Sequence, residues 1–286
     1  MYFEKQAIIS GSKFLIIGAA IGLFLACLGS PLRAAIIAED FFTSGSGAFL
    51  QGKNTGSGFG ASSFWDGAVN NFNEDPRNRY PGLSYPSSSS SAGLARFRGD
   101  FRELYRTVDG GSGFTSYLDG SGNIGADGTE LWFNFLLGRD DNVTAGGSFG
   151  MSLLRDAADA NTNDDVILYL SSDLDAGRFR DSDTHMIAVH MEFAAGSDTY
   201  TVYVDPDLSL APTGGAVNTI ADLSFDMIRM EGRIWGSPTS HLNFDEIRFG
   251  ETASDIGFAT VPEPRAYALL LSAFAVFYWI RHSRIR

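Results

Sequence analysis

Between residues 35 and 260, apolar and polar positions alternate in short runs that are separated by turns rich in Gly, Asn, Asp and Ser. The clearest run, ELWFNFLLG, extends from Glu130 to Gly138. Alternate residues of a strand share a face, so one face carries Leu131, Phe133, Phe135 and Leu137 and the other carries Trp132, Asn134 and Leu136. No helical periodicity is sustained for three turns. The pattern predicts one all-β domain over 35–260, an antiparallel sandwich of two sheets.

Local signals place several connections within this domain. The runs HMIAVHMEF and DTYTVYVDP are joined by Ala194–Asp198, a loop of hairpin length that contains glycine, and they predict a β-hairpin. The glycine-rich segment Thr43–Gly67 also holds aromatic residues, so it is predicted as loops and edge strands laid over the sandwich. Ser84–Gly93 is predicted as a flexible loop inside the domain.

The first 34 residues have the features of a secretory signal peptide. Lys5 and Lys13 precede an apolar stretch from Phe14 to Leu28, and small residues follow. We expect a signal helix and cleavage between Ala34 and Ala35. Two alternatives are lipidation of Cys27, which stands in a sequence resembling a bacterial lipobox, and an uncleaved membrane anchor.

The last 26 residues contain three features in a fixed order. Pro262, Glu263 and Pro264 hold the chain extended, and an uncharged apolar stretch of 15 residues follows from 266 to 280. This stretch is predicted as a short transmembrane helix. The basic tail with Arg281, Arg284 and Arg286 would remain cytoplasmic, which places the preceding chain beyond the inner membrane.

This arrangement resembles the PEP-CTERM sorting signal of Gram-negative bacteria, and the resemblance covers residues 261–286. It implies that the membrane enzyme exosortase processes the chain near Pro262-Glu263-Pro264. It further implies a destination at the cell surface or in an extracellular polysaccharide matrix. Such a signal says where a protein goes and leaves its activity open.

A second resemblance concerns the domain between the two signals. GKNTGSGFG, GSGNIGADGTELWFNFLL, ADLSFDMIRMEG and NFDEIRFGETASDI are similar, in that order, to segments of secreted proteins from Planctomycetes and Verrucomicrobia. Those proteins carry a concanavalin A-like, LamG-type jelly roll. The resemblance implies that Phe244–Gly250 is a closing strand that returns beside the first strand, so that the two ends of the domain lie together.

Charge and motifs restrict the function. The net charge is −13, and a surface of this sign argues against nucleic acid as a partner. The carboxylate triplet of laminarinase-type glycosidases is absent, and groupings such as Asp205 with Asp207 lie in turns, so a non-catalytic protein is predicted. His185 and His190 project to opposite faces of one strand and cannot share a metal from that strand. A degenerate glycoside hydrolase or lyase, and a protein-binding adhesion module, remain as alternatives.

Two ligand sites are hypotheses at this point. A Ca²⁺ site could use oxygen ligands at alternate loop positions, and the competing interpretation is that these residues only form turns. Its candidate ligands are Asn161, Asn163, Asp165, Asp173 and Asp175. Stacking on sugar rings is the second hypothesis and requires exposed rings, whereas tryptophans at strand positions are more often part of the core; its candidates are Trp65, Trp132 and Trp235.

Overall fold

The computed structural model describes residues 35–45, 47–67, 77–86, 88, 93–98, 102–108, 113–139, 147–155, 166–169, 183–234 and 241–259. Within these ranges the chain forms twelve β-strands and one short 3-10 helix, Thr115–Tyr117. The strands are β1 (Ile36–Asp40), β2 (Arg77–Arg79), β3 (Leu94–Arg98), β4 (Arg102–Thr107), β5 (Glu130–Arg139), β6 (Gly147–Leu154), β7 (Val166–Tyr169), β8 (His185–Glu192), β9 (Asp198–Val204), β10 (Ala216–Ile220), β11 (Met227–Ile234) and β12 (His241–Gly250).

The strands form two antiparallel sheets. The larger sheet has eight strands in the order β10-β9-β8-β5-β12-β3-β2, with β1 also paired to β12. The smaller sheet has four strands in the order β4-β11-β6-β7. These sheets confirm the predicted all-β jelly-roll sandwich, and the pairing of β8 with β9 confirms the predicted hairpin. The two predicted terminal helices lie outside the described residues, and none of the described residues belongs to a helix long and apolar enough to cross a membrane.

The first and last strands of the domain are neighbours. β1 pairs with β12 in antiparallel register, with Ala38 opposite Phe249 and Asp40 opposite Ile247. β12 also pairs with β3 and β5, so it lies in the middle of the larger sheet. The expected return of the closing strand beside the first strand is therefore confirmed.

The main core lies between the two sheets. Leu131, Phe133, Phe135 and Leu137 of β5 all point into it, as the alternation predicts. Phe133 stacks on Phe249 of β12 with ring centroids 4.5 Å apart. Ile228 and Met230 of β11 contribute from the smaller sheet.

A second, smaller apolar cluster covers the middle of the outer face of the larger sheet. Its members are Tyr85, Trp132, Leu136, Met186, Ala188, Leu208, Ile256 and Phe258. Loops supply the covering side, and backbone bonds hold them, including one of 2.7 Å from Ala259 N to Leu208 O. β5 and β8 thus bury apolar side chains on both faces, whereas the outer face of β12 carries Asn243, Asp245 and Arg248.

The glycine-rich segment packs closely against β1. Isolated bridges join Ser57 to Glu39 and Asp66 to Tyr105, so the segment contacts both sheets. Gly56 has a φ of 79°, and a Cβ added there would lie 2.0 Å from the carbonyl oxygen of Glu39. Only glycine permits both this conformation and this approach. The segment therefore lies over the sandwich, as predicted.

A buried ion pair connects this segment with both sheets. Arg106 of β4 and Asp40 of β1 are fully buried, and Arg106 Nη1 lies 2.7 Å from Asp40 Oδ2. The same carboxylate oxygen accepts hydrogen bonds from Thr55 Oγ1 at 2.6 Å and from Trp65 Nε1 at 2.8 Å. The guanidinium carbon lies 4.0 Å from the centroid of the Phe59 ring.

Arg106 donates three further hydrogen bonds. Nε donates to Ser63 Oγ at 2.9 Å, Nη1 also donates to the carbonyl oxygen of Thr55 at 2.6 Å, and Nη2 donates to Asn54 Oδ1. Burial lowers the pKa of Arg106 to about 10, against the opposing effect of Asp40, so the guanidinium stays charged at neutral pH. Asp40 and Arg106 can stay buried only while their hydrogen-bonding partners remain in place.

Replacing Arg106 by Met should lower the free energy of unfolding by about 3–5 kcal/mol, because Asp40 would be left as an uncompensated buried charge. Urea denaturation of the full-length protein in detergent measures the change. Arg155→Met is the matched control: Arg155 pairs with Asp222 at the surface, where such a pair contributes roughly 1 kcal/mol or less. Equal losses in the two variants would contradict the structural role of the buried pair.

Candidate functional site

Two of the three tryptophans proposed for sugar stacking are packed in the protein. Trp65 is fully buried and donates its indole N–H to Asp40, so the stacking hypothesis for Trp65 is wrong. Trp132 is also buried, because its ring lies against His190, Tyr203 and Phe258. Trp132 therefore has no open face for a sugar, and its role is to position its neighbours.

Of the other predicted site residues, the structure describes only Ala35 of the cleavage site, which is exposed just before β1. Trp235, the candidate Ca²⁺ ligands, the processing motif and the basic tail lie outside the described residues, and so does Ala34. They comprise Trp235, Asn161, Asn163, Asp165, Asp173, Asp175, Pro262, Glu263, Pro264, Arg281, Arg284 and Arg286. These hypotheses stay as the sequence states them.

The Asp205 and Asp207 grouping has a structural explanation. Asp205 Oδ2 lies 2.9 Å from His185 Nδ1, and its other oxygen accepts the backbone N–H of Met186 at 3.0 Å. Asp207 accepts the backbone N–H of Ser209 at 2.9 Å and its hydroxyl at 2.6 Å, which lowers the pKa of Asp207. Both carboxylates thus stabilise a turn, in agreement with the sequence interpretation.

An arginine cluster, consisting of Arg77, Arg79 and Arg96, lies at the β2 edge of the larger sheet. Arg77 and Arg96 are directly opposite each other in the antiparallel pairing of β2 with β3. The pairing therefore brings two guanidinium side chains to neighbouring positions on one face of the sheet. Arg96 Nε donates to Asn243 Oδ1 of β12 at 3.3 Å, which directs the side chain across the sheet.

The exposed aromatic ring of Phe49 borders the arginine cluster, and a second exposed aromatic residue, Tyr80, follows Arg79 in sequence. The guanidinium carbon of Arg77 lies 4.2 Å from the centroid of the Phe49 ring, and Phe49 forms a bridge with Arg77. Phe49 is 41% exposed, and Tyr80, next to Arg79, is 43% exposed. A planar guanidinium can bind a carboxylate through two hydrogen bonds, and an exposed ring can pack against the apolar face of a sugar. This surface has the chemistry needed to hold an acidic saccharide.

A different polar group lies on the outer face of β5 and β8. Glu130 is directly opposite Glu192, and His190 is directly opposite Trp132. The nearest carboxylate or imidazole atoms of Glu130, His190 and Glu192 all lie within 4.8 Å of one another. We call these three residues the Glu-His-Glu cluster.

Sequence reasoning missed both groups. Alternating arginines occur in RNR (77–79) and in RFR (96–98), which indicates a basic surface. The acidic composition of the whole chain argues in the other direction and concealed this local signal. His190 and Glu192 are two residues apart on one strand and therefore share a face, whereas His185 and His190 are five apart and do not. Their partner Glu130 depends on the pairing of β5 with β8, which no local pattern specifies.

One carboxylate of β12 is buried with few polar contacts, and its polar neighbours are the Ser88 hydroxyl and the Arg248 guanidinium. Glu246 is fully buried, has a φ of 48° and lies within an irregularity of the register between Asp245 and Arg248. Burial raises the pKa of Glu246 to about 7, although the charge of Arg248, 3.7 Å away, acts in the opposite direction. Above neutral pH the side chain of Glu246 is ionised, and its buried charge then destabilises the folded protein.

No protein-family model matches the sequence, and no curated protein matches it significantly. Among solved structures, the chain is similar to the globular domain of T. cruzi calreticulin, with a TM-score of 0.44 and 10% identity over 86% of this chain and 100% of that one. It is also similar to an endo-1,3-beta-glucanase from Streptomyces sioyaensis, with a TM-score of 0.36 and 11% identity over 78% of this chain and 98% of that one. The third is the alginate lyase vAL-1 from Chlorella virus, with a TM-score of 0.31 and 10% identity over 65% of this chain and 89% of that one. These likenesses assign no activity to this chain.

Replacing Glu246 by Gln should change how stability depends on pH. Because the pKa is about 7 in the folded protein and 4.5 ordinarily, the contribution of Glu246 is fully present below pH 4.5 and is lost as the pH rises through 7. Glu246→Gln should therefore match the parent at acidic pH and exceed it by up to about 3 kcal/mol above about pH 8.

Urea denaturation across this pH range measures the difference, with the exposed Glu251→Gln as the control that should leave the profile unchanged. A constant offset between Glu246→Gln and the parent at all pH values would contradict the assignment.

Proposed function

We propose that the protein is an exported, surface-sorted and non-catalytic component of an extracellular polysaccharide matrix, and that it binds acidic polysaccharide. The arginine cluster with its adjoining Phe49 is the observation that carries this proposal. It combines opposed guanidinium groups with an exposed ring on a chain whose net charge is −13.

The local charge explains the preference for an acidic ligand. On an acidic protein, a polyanion is repelled everywhere except where basic groups are concentrated. Carboxylates spaced along a polyuronate could each bind a guanidinium of Arg77 or Arg96. Neutral glucans offer only the stacking contact. Binding should therefore weaken as the salt concentration rises.

The route to the matrix is part of the same proposal. The signal peptide would start export, the segment 266–280 would hold the chain in the inner membrane, and exosortase would process it near Pro262-Glu263-Pro264.

The carboxylate geometry supports a non-catalytic role. Retaining glycosidases need two carboxyl groups about 5–5.5 Å apart on either side of the scissile bond. Among the described residues, Glu130 and Glu192 are close enough, but they are exposed and lie side by side on adjoining strands. Thr199 Oγ1 donates to Glu192 at 2.8 Å, and His190 Nε2 lies 3.1 Å from Glu130. A polysaccharide lyase or hydrolase is the alternative.

The double substitution Arg77→Gln and Arg96→Gln should reduce binding to a polyuronate by about tenfold or more, since two charge-assisted contacts would be lost. Co-sedimentation of the full-length protein with insoluble polyuronate measures this, with a neutral glucan in parallel. Arg155→Gln removes a surface charge from the smaller sheet and should bind normally. Undiminished binding by the double variant would overturn the proposal, and new reducing or unsaturated ends in the parent samples would favour the enzymatic alternative.

Sorting can be tested separately in an organism that processes such tails. Replacing Glu263 by Ala should leave unprocessed protein in the inner membrane, because the processing enzyme would no longer recognise the motif. Immunoblots of membrane and extracellular fractions measure the outcome, and Glu251→Ala, an exposed change in the sandwich, is the control. Normal release of the Glu263→Ala protein would contradict processing at this motif.

A further inference from the structure

We propose that the Glu-His-Glu cluster is a binding site for a divalent transition-metal ion, with Zn²⁺ as the best fit. The antiparallel pairing of β5 with β8 places Glu130 opposite Glu192, and alternation along β8 places His190 on the same face. Two carboxylates and one imidazole thus converge from two adjacent strands. This site is separate from the arginine cluster and does not depend on polysaccharide binding.

The opposed glutamates indicate that a positive charge belongs between them. Like charges directly opposite in an antiparallel pair are destabilising. The smaller sheet contains the same arrangement, with Glu231 opposite Glu103, and there the permanent cation Arg229 lies 2.9 Å from Glu231 and 3.8 Å from Glu103. The Glu130 and Glu192 pair has a histidine in the corresponding role. An imidazole is a cation only when it is protonated, whereas its neutral form is a metal ligand.

The imidazole of His190 is held in a fixed orientation. Its ring stacks on Trp132 with centroids 4.2 Å apart and planes 10° from parallel. Trp132 is itself held by Tyr203 and Phe258. In this orientation His190 Nε2 lies 3.1 Å from Glu130 Oε2. Two ligands of a tetrahedral Zn²⁺ are about 3.3 Å apart, given bonds of about 2.0 Å, so this spacing already fits.

One carboxylate has the supporting contact that metal ligands commonly have. Thr199 of β9 donates its hydroxyl to Glu192 Oε2 at 2.8 Å. Hydrogen bonds of this kind orient ligating carboxylates and strengthen metal binding. Both glutamates are exposed, so modest side-chain rotation can bring their free oxygens to coordinating distance.

The composition of the cluster determines the class of metal. An imidazole together with carboxylates suits Zn²⁺ and similar transition metals, whereas Ca²⁺ prefers six to eight oxygen ligands. Three protein ligands on an exposed face leave at least one coordination position open. A hydroxyl or carboxylate from outside the protein could occupy that position.

Isothermal titration of the untagged, full-length protein in detergent with Zn²⁺ tests the site. We expect binding at one site in the parent, and a loss of affinity of about tenfold or more in His190→Phe and in Glu192→Gln. Phe preserves the stacking on Trp132, so His190→Phe separates ligation from packing. Thr199→Val, which removes only the supporting hydrogen bond, should weaken binding by about tenfold. Ca²⁺ should bind this cluster more weakly than Zn²⁺.

The exposed Glu251→Gln is the control and should bind Zn²⁺ as the parent does. Circular dichroism checks that each variant is folded. If His190→Phe does not fold, the exposed substitution Glu192→Gln tests the site instead. Absence of Zn²⁺ binding to the parent would overturn the proposal. Unchanged binding in folded Glu192→Gln would overturn it equally, because the metal would then lie elsewhere on the chain.

Discussion

The buried pair of Asp40 and Arg106 is the constraint on which the arrangement of the two sheets depends. Asp40 belongs to the first strand of the larger sheet, and Arg106 belongs to the edge strand of the smaller one. Two charges can remain buried only when each is fully hydrogen-bonded, and here Thr55 and Trp65 supply further partners. A glycine-rich segment with little core of its own is thereby ordered, and β1 is held in register beside β12.

The fixed position of β12 divides the larger sheet into regions with different roles. Its inner face packs on the smaller sheet, and a second apolar cluster covers the middle of its outer face. The arginine cluster on β2 and β3 and the Glu-His-Glu cluster on β5 and β8 lie beside that cover. Because the middle of the sheet is packed on both faces, it is rigid and keeps like charges opposite each other. On a flexible surface these charges would move apart.

Alternation predicted the sheets, the hairpin and the core face of β5, because burial between two layers imposes a period of two on each strand. It could not predict the partners of Arg106, since these depend on how a loop crosses two strands that are distant in sequence. The Glu-His-Glu cluster was hidden for the same reason: Glu130 and Glu192 meet only when β5 pairs with β8. Export, sorting and the Ca²⁺ loops are still predictions from sequence, outside the described residues.

The central claim is that acidic polysaccharide binds at the β2 edge of the larger sheet. Hydroxyl-radical footprinting of the protein, with and without polyuronate, tests it directly, because oxidation reports the exposure of individual side chains. The account predicts that Phe49 and Tyr80, 41% and 43% exposed, become protected, while Val217, 69% exposed on β10 at the opposite edge, is oxidised as before. Protection of Val217 without protection of Phe49 and Tyr80 would contradict it.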